Sequence, residues 1–216
     1  MGTRMYTVKE IYYTIQCEGA QTGHPAVFCR FAGCNLWSGR EQDRASAQCR
    51  FCDTDFRGGE RYEEQDLFGK ILAEWGSTLA MSDCAVSKVG SHPLCVFTGG
   101  EPALQLTESL IMRLIRANFS VAVETNGTLP LPDGVYWRTV SPKAGTTLKQ
   151  TWGNEMKVVW PQQDLDLDYL RSLSFKHFYL QPMDGVDGAV QQTIDKVLQD
   201  PRWNLSLQTH KTVGLR

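Results

Sequence analysis

Leu94-Cys95-Val96-Phe97-Thr98-Gly99-Gly100-Glu101-Pro102 begins as an apolar run and ends at two glycines, a carboxylate and a proline. An apolar run bounded in this way predicts a buried strand followed by a loop. The same order, a predicted strand and then a polar motif, recurs at four further places in the chain. These places are Arg30, 124–127 (ETNG), 141–143 (SPK) and 181–182 (QP).

The predicted strands alternate with predicted helices, which is typical of a parallel α/β sheet. A full eight-unit barrel needs about 250 residues, more than the 216 of this chain. We therefore expect an α/β fold, an incomplete (partial) TIM-type β/α barrel with about six parallel strands, in a single domain over 1–216. Sites on such folds lie at the carboxyl ends of the strands, so the five polar motifs should converge. The predicted strands cover 6–15, 26–31, 94–98, 120–123, 136–140, 156–159, 177–180 and 205–208, and the predicted helices cover 66–79, 107–117, 166–173 and 189–198.

Composition limits the classes of partner. The net charge of −2 lacks the basic excess that nucleic acid or an anionic membrane would require. No apolar run approaches the roughly 20 residues of a spanning helix, and residues 1–10 show no secretory pattern. We expect a cytoplasmic protein with no nucleic-acid and no membrane partner. In a reducing compartment, the seven cysteines favour metal or catalytic roles over disulfides.

Three of the cysteines share a long polar loop, predicted over 34–59. Fourteen residues separate Cys34 from Cys49, and Cys52 follows in a Cys-Arg-Phe-Cys-Asp-Thr run. Thiolates are soft ligands that suit iron–sulfur clusters or zinc. Three thiolates leave one iron of a four-iron cluster open to a cofactor or substrate, whereas a structural zinc site has four closed ligands. A zinc site and unlinked core thiols remain alternatives at this point.

Two side chains and one motif indicate what lies near the loop. Phe51, between the paired cysteines, can stack on a purine ring or simply cover a cluster. Arg30 ends an apolar strand, where its planar guanidinium suits a carboxylate ligand; the alternative is an internal ion pair. The glycines of the 99–102 motif allow a ligand to approach the backbone closely, or they form only a turn.

Four further residues have weaker signals. Gln16 and Glu18 are two apart in an extended segment, so they point to one side and can bind the amine and ring N–H edge of a guanine-like heterocycle. Solvation of a turn is the alternative for both. The hydroxyl of Thr54 suits Mg²⁺ as one hard ligand, or it only closes a turn. His210 near the C-terminus is as consistent with a structural role as with a substrate contact.

These features together resemble the radical S-adenosylmethionine superfamily and, within it, the 7-carboxy-7-deazaguanine synthase family. The similarity covers nearly the whole chain. Two features differ: the gap between Cys34 and Cys49 is wider than is usual in the superfamily, and Cys17 stands where the family usually has glycine. Loop-closure entropy grows slowly with length, so a long insertion is compatible with cluster binding. The residues that carry the resemblance are 10–19 (EIYYTIQCEG), 27–36 (VFCRFAGCNL), 52–54 (CDT), 97–102 (FTGGEP), 124–127 (ETNG), 141–143 (SPK), 181–182 (QP) and 207–211 (LQTHK).

The resemblance implies an enzyme, a carbon–nitrogen lyase of queuosine biosynthesis. Its reaction would be the radical ring contraction of 6-carboxytetrahydropterin to 7-carboxy-7-deazaguanine with loss of ammonia. The implied cofactors are a 4Fe-4S cluster on Cys34, Cys49 and Cys52, S-adenosylmethionine, and Mg²⁺ on Thr54. The residues implied to bind S-adenosylmethionine are Phe51, Asp53, Gly99, Gly100, Glu101, Glu124, Ser141, Lys143 and Gln181, and those implied to bind the substrate are Ile15, Gln16, Cys17, Glu18, Arg30, Thr98 and His210.

The resemblance also implies a homodimer and a flavodoxin-like electron donor. Two alternative functions stay open at this stage. One is an activase that places a glycyl radical on a partner protein, and the other is a zinc-binding module without catalysis.

Overall fold

The computed structural model describes residues 4–79 and 93–215. Within them it contains nine strands and five α-helices. The strands are β1 (Met5–Ile15), β2 (Pro25–Phe31), β3 (Glu60–Glu63), β4 (Leu94–Gly99), β5 (Ser120–Thr125), β6 (Trp137–Val140), β7 (Trp152–Trp160), β8 (Ser174–Pro182) and β9 (Asn204–Leu205). The helices are α1 (Glu64–Leu79), α2 (Glu108–Arg116), α3 (Leu167–Ser172), α4 (Ala189–Gln199) and α5 (Thr209–Val213).

All nine strands belong to one sheet, in the order β3-β1-β2-β4-β5-β6-β7-β8-β9. The pairs from β2 to β9 are parallel, whereas β1 pairs antiparallel with both β2 and β3. The first and last strands of this order are not paired with each other, so the sheet does not close. The predicted α/β class and incomplete barrel are therefore confirmed. The sheet contains six longer parallel strands, and the two-residue β9 adds a short seventh next to β8.

Residue alternation along the strands separates two apolar layers. In β2, Val27 and Cys29 pack with α1 and α2 in the outer core, while Ala26 and Phe28 pack on the opposite face in a smaller inner cluster. Side chains in a strand point alternately to the two faces, so Arg30 continues the inner row. The inner row thus changes from apolar to polar toward the carboxyl end of the strand. β4 and β5 repeat the change, and the polar ends meet at one edge.

Two of the helices that pack on the outer face begin at a side chain that caps them. Thr107 is the N-cap of α2, and its hydroxyl accepts a hydrogen bond from the N–H of Leu110 at 3.3 Å. The carboxylate of Asp166 caps α3 in the same way, with the N–H of Tyr169 at 2.9 Å. Such caps satisfy backbone donors that have no partner inside the helix. Among the described residues, no helix has the length and apolar character needed to cross a membrane.

The structure corrects the prediction at the C-terminus. The strand predicted over 205–208 is wrong beyond Leu205, because β9 ends there and α5 follows at Thr209. Ser206 closes the strand by donating its N–H to the carbonyl of Leu180 at 2.9 Å. The pairing of β1 with β3 was also not predicted, because β3 follows the long loop and its residues Glu60-Arg61-Tyr62-Glu63 lack an apolar pattern.

Candidate active site

A cleft of about 500 Å³ opens where the carboxyl ends of the parallel strands meet. All five polar motifs contribute residues to its wall, so their predicted convergence is observed. Of the predicted site residues, only Glu101 does not line the cleft. Those that do are Ile15, Gln16, Cys17, Glu18, Arg30, Cys34, Cys49, Phe51, Cys52, Asp53, Thr54, Thr98, Gly99, Gly100, Glu124, Ser141, Lys143, Gln181 and His210.

The three loop cysteines are free thiols on the wall of this cleft. A hydrogen bond from the Cys49 thiol lowers the pKa of Cys52 to about 6, against the opposing effect of burial. Burial raises the pKa of the Cys34 thiol above its ordinary value. The lowered pKa of Cys52 favours its thiolate, which is the form that binds metals.

The fourteen residues between the first two cysteines fold into an ordered segment with a 3₁₀ helix at Glu41–Ser46. Arg44 holds it, because its guanidinium lies 4.1 Å from the centre of the Trp37 ring. The same guanidinium donates to the backbone carbonyls of Arg50 at 2.9 Å and Cys52 at 3.2 Å. The insertion therefore supports the backbone that presents the second and third cysteines.

The glycine pair after β4 serves a close contact between two backbone segments. A Cβ on Gly99 would lie 2.2 Å from the carbonyl oxygen of Phe31, and one on Gly100 would lie 1.8 Å from that of Gly33. Gly99 also has a φ of +116°, a conformation that disfavours side chains. The loop after β4 thus packs directly on the backbone that leads to Cys34. In this structure, protein backbone occupies the space that the glycines leave.

Glu101 lies below the cleft and is fully buried. Its Oε1 accepts hydrogen bonds from the N–H of Ala103 at 2.9 Å and the hydroxyl of Thr125 at 2.7 Å. Its Oε2 accepts from the N–H of Asn126 at 2.8 Å. Burial raises the pKa of this carboxyl, while the three hydrogen bonds act in the opposite direction. Glu101 therefore joins the loop after β4 to the end of β5.

A buried lysine that the sequence analysis missed lines the cleft. Lys157, on β7, forms ion pairs with Glu18 and, at 3.4 Å, with Glu124. The amide of Gln16 donates to the other oxygen of Glu124 at 2.9 Å, and that of Gln208 donates to Glu18 at 3.0 Å. Burial acts to raise the pKa of Glu18, but the ammonium of Lys157 outweighs burial and lowers this pKa. Glu18 is therefore ionised at neutral pH.

The C-terminal segment closes one side of the cleft over the cysteine loop. Gln208 donates to Asp53 at 3.1 Å as well as to Glu18. Lys211 bridges Asp53 at 2.8 Å and Asp184 at 2.9 Å. These contacts tie the residue after the third cysteine to the last strands of the sheet, and they bring His210, in the first turn of α5, to the cleft wall.

Arg30 faces the cleft, but it already has partners within the protein. Its Nε donates to Glu10 at 2.8 Å, and an Nη atom donates to the hydroxyl of Tyr12 at 3.1 Å. The Arg30 side chain is 20% exposed. The internal ion pair that the sequence left as an alternative is thus present, with the guanidinium still lining the cleft.

Comparison with known proteins identifies relatives across the full chain. The chain is 49% identical to the 7-carboxy-7-deazaguanine synthase of Caulobacter vibrioides and 48% identical to that of Burkholderia multivorans, in each case over 97% of this chain and 99% of the relative. The chain belongs to the 7-carboxy-7-deazaguanine synthase family. The crystal structure of QueE from Escherichia coli superposes with a TM-score of 0.68 at 26% identity, covering 95% of each chain. No protein-family model matches the chain.

Membership of this radical S-adenosylmethionine family implies an iron–sulfur cluster and S-adenosylmethionine, and the residues present fit them. Three free thiols, one of them with a lowered pKa, provide the soft donor set that such clusters require. Among the residues that the structure describes, no three His, Cys, Asp or Glu side chains are grouped so that they could hold a single metal ion. Phe51 also lies beside the thiols, with its ring 5.7 Å from the ammonium of Lys143.

Sequence reasoning missed several residues of the cleft wall. Lys157 could have been detected from the sequence. It interrupts the apolar run Met156–Trp160, which is a poor place for a surface charge, as the strand that ends at Arg30 also is. Gln208 and Lys211 lie in the segment 207–211 that resembles the family, but nothing local in the sequence shows that they contact Asp53. Tyr12 has the pattern of an ordinary strand aromatic.

Proposed function

We propose that this chain converts 6-carboxytetrahydropterin to 7-carboxy-7-deazaguanine with loss of ammonia, as the radical S-adenosylmethionine enzyme of its family. The single observation that supports this most directly is one cleft that holds both the three thiols and the recognition groups Arg30, Gln16 and Glu18. Its volume of about 500 Å³ lies within the range of small-molecule sites. A small substrate fits this size better than the protein partner of an activase.

The cofactor end of the cleft is proposed to lie around the cysteines. Cys34, Cys49 and Cys52 hold a 4Fe-4S cluster, and Thr54 provides one ligand to Mg²⁺. When bound, the cluster and S-adenosylmethionine supply the one-electron chemistry, and the protein orients the reactants and excludes water. Glu101 acts through the backbone that it fixes. The residues that surround S-adenosylmethionine are Phe51, Asp53, Gly99, Gly100, Glu124, Ser141, Lys143 and Gln181.

The substrate end is proposed to lie between β1, β2 and the C-terminal segment. Arg30 binds the substrate carboxylate, for which it must share or exchange its contact with Glu10. The ionised Glu18 accepts hydrogen bonds from the amine and ring N–H edge of the pterin. A carboxylate that is already charged and fixed in place keeps this edge in one orientation. Ile15, Gln16, Cys17, Thr98 and His210 complete the substrate wall.

Further parts of the proposal concern the chain as a whole. We propose that 1–216 acts as one radical S-adenosylmethionine domain, in the cytoplasm, as a homodimer. A flavodoxin-like protein is proposed as the electron donor. Sedimentation of the purified protein, and turnover with reduced flavodoxin in place of a chemical reductant, test the last two statements.

The test of the reaction is anaerobic turnover. The purified protein is analysed for iron, sulfide and zinc, and then incubated with 6-carboxytetrahydropterin, S-adenosylmethionine and a reductant. We expect a brown protein and a deazapurine product that is identified by mass, together with ammonia. S-adenosylmethionine should be regenerated, whereas an activase would consume it.

The matched control replaces all three loop cysteines by alanine, and a second control replaces Cys95, which is buried in the outer core. The triple variant should lose iron and product, and Cys95→Ala should retain both. A cluster-loaded protein that forms no deazapurine, or a triple variant that keeps its iron, contradicts the proposal. A colourless protein that contains zinc supports the binding-module alternative instead.

A further inference from the structure

β7 carries two ionisable side chains into the interior of the barrel. Met156 and Val158 pack in the outer core against α3 and neighbouring strands. Lys157, which lies between them, and Val159 line the cleft instead, and Glu155 borders a small void below it. This alternation follows from the two faces of a strand. Lys157 therefore extends from a strand that is paired on both sides, with β6 and with β8.

The ammonium of Lys157 joins two carboxylates from different parts of the chain. The Lys157 side chain is 4% exposed, and those of Glu18 and Glu124 are 14% and 23% exposed. Glu18 follows β1 and belongs to the wall proposed to bind the substrate. Glu124 ends β5 and belongs to the wall proposed to bind S-adenosylmethionine. One buried cation thus contacts a residue of each wall.

Other charged groups near Lys157 make the need for this cation greater. Glu155 is a third buried carboxyl, with its Oε2 accepting from the N–H of Ala20 at 2.9 Å. Burial raises the pKa of Glu155, although Lys157 acts in the opposite direction. A second lysine of the cleft, Lys143, donates instead to the carbonyl and hydroxyl of Ser141 at 2.8 and 2.7 Å. Without Lys157, the two paired carboxylates would remain partly buried, with the amides of Gln16 and Gln208 as their side-chain donors.

We propose that Lys157 is a positioning residue for the reaction. Its ammonium holds two carboxylates ionised and in fixed positions: Glu18 of the substrate wall and Glu124 of the cofactor wall. This inference rests on the proposed function for the roles of the two walls. The lysine itself acts through the carboxylates. Its ion pairs with them, one from each wall, are its contribution to the site.

The test compares three variants of the cluster-loaded protein: Lys157→Met, Lys157→Arg and the control Lys176→Met. Lys176 is exposed on the neighbouring strand β8, so the control removes a lysine from the same sheet. Iron content should be equal in all three. We expect Lys157→Met to lose about 10–100-fold in kcat/KM, the loss that is typical when a residue that orients a metal ligand is removed. Lys157→Arg should recover part of the loss, since it restores the charge.

A second readout does not depend on turnover. A carboxylate that loses its buried counter-charge takes up a proton, because desolvation disfavours the charged form. The infrared difference spectrum of Lys157→Met against the wild type should show a new protonated-carboxyl band at neutral pH. The band should weaken when Glu18→Gln is added, and it should be absent for Lys176→Met. The effect of Lys157→Met on substrate KM should also shrink in the Glu18→Gln background.

The outcomes separate this inference from the proposed function. A wild-type protein with a full cluster and no product defeats the function, while the infrared spectrum still tests Lys157. Equal KM, kcat and infrared spectra for Lys157→Met and the wild type overturn the inference. If Lys157→Met does not fold, the same change is made together with Glu18→Gln and Glu124→Gln, where no counter-charge is needed. Folding of that triple variant supports the inference, and its failure to fold shows a packing role and overturns it.

Discussion

Gly100→Ala is expected to separate the loop after β4 from the backbone that leads to the first cysteine. The added Cβ would lie 1.8 Å from the carbonyl oxygen of Gly33 and 3.0 Å from the backbone nitrogen of Cys34. Close carbon–oxygen contacts in proteins lie at about 3.3–3.6 Å, so the two segments must move apart by about 1.5 Å. Both sides of the contact are backbone, and therefore no side-chain rotation can relieve it.

The cost follows from the contacts that this movement breaks. The N–H of Glu101 donates to Gly33 at 2.9 Å, and the N–H of Gly100 donates to Phe31 at 3.1 Å. Each such hydrogen bond contributes about 0.5–1.5 kcal/mol, and overpacking adds about 1–3 kcal/mol. We expect the free energy of unfolding to fall by about 2–6 kcal/mol. Because Cys34 moves with Gly33, iron content per chain should fall as well.

Urea unfolding under nitrogen, followed by far-UV circular dichroism, measures the first effect, and iron and sulfide analysis measures the second. Gly69→Ala is the matched control. Gly69 lies inside α1, with no heavy atom within 4 Å of an added Cβ. Alanine should there stabilise the helix by about 0.5–1 kcal/mol. A Gly100→Ala protein with the wild-type unfolding midpoint and the wild-type iron content would refute the reasoning.

Three further predictions concern other polar contacts. Glu101→Gln should lower the free energy of unfolding by about 1–3 kcal/mol in urea titrations. The new amide N–H₂ must face a backbone N–H, and two donors cannot form a hydrogen bond with each other. An unchanged unfolding midpoint would contradict this prediction. Arg30→Ala should keep the cluster absorbance but lose roughly 2–5 kcal/mol of transition-state stabilisation in kcat/KM, and unimpaired turnover would remove Arg30 from the substrate site. Burial raises the pKa of Glu64, but hydrogen bonds from two hydroxyls and Arg113 outweigh it and lower the pKa. Its contribution to stability is therefore present above the unfolded pKa of about 4.3 and is lost as pH falls through the lower folded value. The difference in unfolding free energy between wild type and Glu64→Gln should shrink from about pH 6 to about pH 3, whereas the exposed Glu63→Gln should show no such change.

The class of the fold was predictable because its signals are local. Apolar runs that end at polar motifs predicted the parallel strands, and the four predicted helices match α1 to α4 with differences of one or two residues at their ends. The antiparallel edge was not predictable in this way. β3 is short, polar and separated from its partner β1 by the long loop, so its strand conformation comes from pairing rather than from its own residues.

The members of the site were also largely predictable, whereas their partners were not. A polar residue at the end of a parallel strand has only one edge to occupy, so Arg30, Thr98 and Glu124 had to meet. Which charge each residue faces depends on side chains that arrive from distant segments. Arg30 shows this, because its contact with Glu10 depends on the antiparallel pairing of β1 with β2.

The sequence alone predicted that a glycine-rich turn and a set of polar strand ends share one edge of an open α/β sheet, because periodicity and spacing act over short stretches. Only the tertiary structure decided that Lys157 pairs with Glu18, 139 residues away, and that Gly100 must leave room for the carbonyl of Gly33. Both contacts join segments that are brought together by the order of the strands in the sheet. Charge pairing and close backbone packing depend on ångström distances in space, which no local pattern of residues contains.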